Sequence, residues 1–302
     1  MTTPAVAHEH RRDRERIAAV ASRDVQRAWQ RVDPDAISES WARQVPGVTA
    51  RVAQAQEQAA RQAEPYLGRV LGTGSAVAPV ARVVPGSLAG VASDGRSLVS
   101  LMAYPAIVAL GAIRRGESIA RALASGLASL LMFAGTQIFD AGRVADELGI
   151  AARPRVGIYT RVVEPGACPR CLVLAGRQYR WSTGFLRHPQ CKCQTVPMRP
   201  DEYYEIAQSP QSIFDAMTTA EQDARFGAGA AEAIRQGADM NQIVNAQRGM
   251  TSAGYTTEGT TRRGWAYRRL QGQPRLMPEA IMQNANSRDE AIDLLRQHGY
   301  LD

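Results

Sequence analysis

Lysine is all but missing from this 302-residue chain: of its 36 basic residues only Lys192 is a lysine. That bias points to a GC-rich coding genome rather than to a chosen chemistry. Aromatic residues are scarce, at 6%, so a core has to be built mostly from small and aliphatic side chains. Four cysteines are too few for a disulfide scaffold of this size. Nucleophilic or acid–base pairings have only His8, His10, His188 and His298 to draw on. No glycine-rich phosphate loop followed by lysine is present. Gly72-Thr-Gly-Ser75-Ala lacks the last glycine of a nucleophile elbow. The His-x-Glu of a zinc deaminase is absent as well. No internal repeat of fixed period appears, and the chain is neither collagen-like nor a coiled coil alone. No secretory leader is expected, because MTTPAVAHEHRRDRER turns charged before an apolar run forms. Leu98–Ile113 is interrupted by Pro105, and Ala120–Phe139 is Ala/Ser/Gly-rich with Arg121 near its start. Both read as buried helices, and no membrane partner is expected.

Apolar residues at 45% and charged residues at 22% describe a globular chain, long enough for two ordinary domains or one large one. Helical spacing appears at Ile17, Val20, Ala21, Val25, Ala28 and Val32. Asp33-Pro34 fits a cap and first-turn proline for a second helix with Ile37, Trp41 and Val45, which Pro46-Gly47 is expected to break. Val48–Leu71 is helical, Gly72–Gly95 is irregular, and Leu98–Leu148 holds two or three apolar helices. Arg155–Val163 and Gln178–Trp181 read as short strands. Helices return over Asp201–Ala207, after the Thr218/Glu221 capping box, over Ala230–Gln236 and Met240–Gln247, and after a Ser287/Glu290 capping box. In that last helix Ile292 and Leu295 face inward and Gly299 supplies the stop. The expected fold class is mainly α with a small α+β Cys/His module. Its parts are a helical arm (1–80), an apolar helical region (81–150), a Cys/His-rich module (151–200) and a helical C-terminal region (201–302).

Charge and cysteine coincide. Residues 151–200 hold nine basic residues and one acid, Glu164, a net +8, against +3 before and −4 after. All four cysteines lie there, as Cys168-Pro-Arg-Cys171 and Cys191-Lys-Cys193, with His188 three residues before Cys191. Cys-x2-Cys puts two thiolates on one turn, within reach of a single tetrahedral ion, and a second pair 19 residues later is close to zinc-ribbon spacing. The departure is Cys-x-Cys, whose side chains point to opposite faces of an extended strand. Either the backbone turns there or His188 replaces one cysteine. The candidate ligands of one structural zinc are therefore Cys168 and Cys171 with two of His188, Cys191 and Cys193. A redox Cys-x2-Cys would need a strand leading into a helix N-terminus, which Pro165-Gly166 does not provide. Arg170, Arg177, Arg180 and Arg187 suit phosphates of DNA or an acidic protein surface, without base reading. Tyr159, Tyr179, Trp181 and Phe185 occupy core-like positions rather than stacking ones. The basic–aromatic run Arg262-Arg263-Gly-Trp265-Ala-Tyr267-Arg268-Arg269 reads better as a surface loop with two anchored aromatics than as a nucleic-acid clamp.

The run RVVEPGACPRCLVLAGRQYRWSTGFLRHPQCKCQTVP resembles the Mu F-like, or head-morphogenesis, minor capsid proteins of tailed bacteriophages. The shared elements are a strand ending in Arg161, Cys168-x2-Cys171, Ala-Gly-x-x-Tyr179, His188-Pro-x-Cys191-x-Cys193 and Pro197. The likeness extends upstream through GVASDGRSL and TQIFDAGRVAD, and downstream through NQIVNAQRGM, TTEGTTRRG and PEAIMQNANSRDEAIDLLRQHGYL. It implies a non-catalytic structural protein of the phage head, in low copy at the portal vertex. Its partners would be the portal and other head proteins, with non-specific contact to packaged DNA. Its place would be the virion, and the host cytoplasm during assembly. The competing readings are a zinc-ribbon-like nucleic-acid-binding protein and a capsid maturation protease.

Overall fold

The computed structural model describes residues 3–72, 77–163, 166–183, 188–189, 191, 193–198, 208–247, 255–256, 270–271, 273–277, 280–281, 284–298 and 300–301. They belong to two units, Met1–Glu164 with Arg177–Ala207, and Pro165–Gly176 with Gln208–Asp302. The fold is mainly α with a small sheet and a Cys/His cluster.

The first unit is built on α5 (Ile119–Ala151), a helix of about 50 Å at 1.5 Å per residue. Against it pack α1 (Thr3–Trp29), α2 (Ile37–Arg61), α3 (Ala63–Leu71) and α4 (Leu98–Arg114). By length and composition α5 could also cross a membrane, with a third of its most apolar stretch buried. One core cluster runs through the bundle and includes Val25, Trp29, Trp41, Val48, Val52, Met102, Ala109, Leu130 and Ile138. Trp29 and Trp41 meet edge to face at 4.7 Å. Each indole N–H finds a backbone carbonyl, Trp41 on Met102 at 2.9 Å and Trp29 on Leu123 at 3.0 Å. Val20 departs from the expected stripe and is 52% exposed.

Two expected boundaries fall elsewhere. Pro46 lies inside α2, which runs on unbroken. A proline there costs about 3 kcal/mol. Burying Val45, Val48 and Val52 on the same face, at about 2 kcal/mol each, outweighs it. Pro105 is likewise carried inside α4. Asp33-Pro34 does not start α2 either; Ala36 takes the N-cap position, without a side-chain cap. Asp33 instead closes the preceding turn, its Oδ1 accepting from the Asp35 N–H and its own N–H donating to Ser40 Oγ.

Three glycines of α5 mark close approach, Gly149 against Leu67 of α3 and two against α1. A Cβ on Gly142 would lie 2.4 Å from Arg14 Nε, and one on Gly126 would lie 2.4 Å from the Trp29 ring.

The sheet has the order β2-β1-β3, all antiparallel: β1 (Ile158–Val162), β2 (Gln178–Arg180) and β3 (Gln194–Met198). Tyr159 lies opposite Tyr179 on one side and Pro197 on the other. Sequence reasoning misses β3. All five of its residues are buried, so no polar–apolar alternation marks it, and Pro197 is tolerated because the strand is at an edge.

The second unit contains α6 (Pro169–Leu172), α7 (Pro210–Asp215), α8 (Thr219–Phe226), α9 (Ala228–Arg235), α10 (Met240–Ala246) and α11 (Arg288–Gln297), with a two-stranded pairing of β4 (Tyr255–Thr256) and β5 (Arg275–Leu276). The Thr218/Glu221 capping box is formed. At α11 only half of the expected box is: Ser287 accepts from the Glu290 N–H at 3.2 Å, but Glu290 Oε2 accepts from Asn286 N. Leu295 is fully buried and Ile292 half-buried. The expected Asp201–Ala207 helix, the Arg262–Arg269 run and Gly299 lie outside the described residues.

Candidate metal centre

Cys168 occupies the N-cap position of α6 and Pro169 its first turn, where a missing N–H costs nothing. The Cys171 and Leu172 N–H groups both donate to the Cys168 carbonyl, at 2.9 and 3.0 Å. This turn sets Cys171 three residues along from Cys168, on the same side. The second pair is held differently. The Cys191 N–H donates to the His188 carbonyl at 3.1 Å, which turns the chain, and β3 begins only at Gln194. Both cysteines thus precede the strand, and the opposite-face geometry of an extended Cys-x-Cys does not arise. Cys171, Cys191 and Cys193 are buried, while Cys168 and His188 are half-buried.

The donor atoms converge in two groups that share Cys171. Cys168, Cys171 and His188 form one, and Cys171, Cys191 and Cys193 the other, each with ligand atoms within 4.8 Å of one another. Such a cluster could hold a metal ion. Thiolate and imidazole donors at such spacing fit a tetrahedral, borderline-soft cation. His188 Nδ1 lies 2.8 Å from the Pro189 carbonyl. A carbonyl only accepts, so Nδ1 is the donor in this contact and Nε2 is the nitrogen left to face a metal.

Two buried arginines surround the cysteine loop. Arg143, from α5, donates through Nε to the Cys193 carbonyl at 3.1 Å and through Nη2 to the Cys191 carbonyl, while Nη1 pairs with Asp140 at 3.0 Å. Arg161, on β1, donates through Nη2 to Cys191 Sγ at 3.6 Å. Of the other arginines in the basic segment, Arg153 bonds Glu64 and is buried. Arg170, Arg177 and Arg180 are exposed. Of the four aromatics expected in the core, Tyr159 is buried and Tyr179 half-buried, but Trp181 is 53% exposed. Arg187 and Phe185 lie outside the described residues.

Sequence reasoning overlooks a second buried polar group, beneath β3. Arg14 Nη2 donates to Asp146 Oδ2 at 2.7 Å and to the Gly142 carbonyl at 2.8 Å, and Nη1 donates to Gln194 Oε1 at 3.3 Å. His10 Nε2 lies 3.2 Å from Asp146 Oδ1, and its ring stacks on Tyr66 at 3.8 Å. The Tyr66 hydroxyl donates to the Thr195 carbonyl at 2.8 Å. Burial pushes the Asp146 carboxyl up, but Arg14 and His10 outweigh it and hold the group below the usual carboxylate range. Burial, and then Asp146 beside it, raises the Tyr66 hydroxyl well above its ordinary value. One signal was available: Asp140, Arg143 and Asp146 recur every three residues in a largely apolar helix. Comparison with family models, curated proteins and solved structures finds no match to this chain.

Proposed function

We propose that this chain is a minor capsid protein of the head-morphogenesis type, a structural component of a tailed-phage head at the portal vertex, with one structural zinc ion. The observation that carries the reading is the pair of donor groups that share Cys171, Cys168 with His188 in one and Cys191 with Cys193 in the other, drawn from the residues on which the resemblance rests. Zinc held by thiolates and imidazole in a closed site contributes to folding rather than to catalysis. The arginines support that role. Arg143 is committed to the loop's carbonyls and Arg161 to a cysteine sulfur, so the surroundings hold the loop's shape. Its partners in this reading are the portal and other head proteins.

Mass spectrometry of purified virions of the encoding phage tests the proposal. Peptides of this chain are expected at a copy number well below that of the major capsid protein, and the chain should co-purify with the portal. Its absence from virions refutes the reading. Elemental analysis of protein purified without chelator should give one zinc per chain; a folded, metal-free protein with four reactive thiols refutes the zinc assignment. The exposed Arg170, Arg177 and Arg180 favour a second reading, as a nucleic-acid-binding module. It predicts binding to unrelated duplexes that falls linearly on a log–log salt plot, by about 0.9 per phosphate contact.

A further inference from the structure

The end of α1 that carries His10 and Arg14 is held by polar contacts more than by bulk. Its buried apolar residues there are small, Val6 and Ala7. The remaining anchor is the group of His10, Arg14, Asp146 and Tyr66, each 4% exposed or less. Four elements meet in it: α1, α3 through Tyr66, α5 through Asp146 and the Gly142 carbonyl, and β3 through Gln194 and the Thr195 carbonyl.

Charge in this group is balanced only while His10 is neutral. Arg14 and Asp146 form a fully buried ion pair. A proton on His10 would place a second buried cation beside that single carboxylate. The other groups facing His10 supply little to offset it. On α1, Asp13 is half-buried and already paired with Arg16. On α3, Tyr66 stays a neutral phenol, while Arg69 is tied to Glu9. From β3 come only the neutral Gln194 and Thr195.

We propose that His10, Arg14, Asp146 and Tyr66 form a pH-sensitive latch that docks the first half of α1 on α3, α5 and β3 while His10 is neutral, and releases it when His10 is protonated. Burial, and then the neighbouring Arg14, lowers the His10 affinity for a proton below the ordinary value of 6.5, and Asp146 offsets this only in part. The released state therefore binds more protons than the docked one. Docking is at full strength above pH 6.5 and weakens as pH falls below it, toward a limit of about tenfold per pH unit for one proton. Such an opening is local and leaves the rest of the bundle in place.

Amide exchange of the full-length protein, corrected for intrinsic rates, tests the latch. Protection over residues 5–14 should be constant from pH 8 to 7 and fall by up to about tenfold per pH unit below 6.5, while that of α4 and of the middle of α5 stays level. His10→Gln, which cannot gain a proton, should abolish the pH dependence. The His10 ring, followed by NMR in the wild type, should titrate below 6.5 and so needs no variant to fold. A flat wild-type profile, an unchanged slope in His10→Gln, or a His10 midpoint at or above 6.5 overturns the proposal.

Discussion

Replacing Gly142 by alanine should destabilise the protein, although a helical glycine-to-alanine change ordinarily gains about 1 kcal/mol. The new Cβ would sit 2.4 Å from Arg14 Nε, 2.8 Å from Cζ and 3.1 Å from Cδ. Arg14 is fully buried and cannot step aside, because Asp146, the Gly142 carbonyl and Gln194 hold its guanidinium. Overpacking of this kind costs about 1–3 kcal/mol. Displacing the guanidinium from Asp146 adds about 1.5–3 kcal/mol for a charged hydrogen bond. Less the gain in helix propensity, the net loss should be about 1.5–5 kcal/mol. Gly135→Ala in the same helix is the control: nothing lies within 4 Å of its Cβ position, so it should gain up to about 1 kcal/mol. Urea denaturation followed by tryptophan fluorescence reads both, since Trp29 and Trp41 are buried in this unit's core. If Gly142→Ala is as stable as Gly135→Ala, the packing of Arg14 against α5 is wrong.

Arg143→Met should leave every candidate ligand in place yet weaken metal retention by about 10–100-fold, the usual effect of removing a residue that orients ligands; competition with a chromogenic chelator measures it, and unchanged affinity would show that the contacts to the Cys191 and Cys193 carbonyls do not shape the site. Cys171→Ser should abolish stoichiometric metal binding, because Cys171 belongs to both donor groups, whereas His188→Ala should leave a weaker site; metal analysis of the two purified variants distinguishes them. Thr218→Ala removes the capping box of α8 and should cost about 1 kcal/mol in the second unit, read from its thermal midpoint.

The helices of the first unit were legible wherever an apolar stripe was long, and α1, α4 and α5 follow their patterns closely. Proline misled the reading at Pro46, because the benefit of burying Val45, Val48 and Val52 comes from other helices and leaves no local trace. Strand β3 was invisible for a related reason: a strand buried on both faces has no period. The five Cys/His candidates were legible because metal chemistry constrains spacing directly. Their supporting arginines were not, since Arg143 is 48 residues from Cys191 in the chain. The N-terminal helices are part of the bundle and not an appendage to it: α1 and α2 supply Val25, Trp29, Trp41 and Val52 to the common core, and Arg14 and Tyr66 hold β3. Removing residues 1–70 would uncover α4, α5 and the strand next to the cysteines.

The two α5 glycines that face α1, Gly126 and Gly142, also act together, as a gauge of alignment. Arg14 fits at Gly142 and Trp29 at Gly126, so α1 runs antiparallel to α5. The notches are 16 residues apart and the side chains 15, spans of about 24 and 22 Å along their axes. A single notch could be satisfied by any sliding of one helix that finds another small residue, and α5 offers many alanines. Two notches of such different character, one matched to a flat indole and one to a guanidinium with a carboxylate beside it, can be filled together at one setting only. A shift of one helical turn would drive both Trp29 and Arg14 against side chains at once. The pair therefore gives an alanine-rich bundle, whose smooth surfaces would otherwise slip, a unique register.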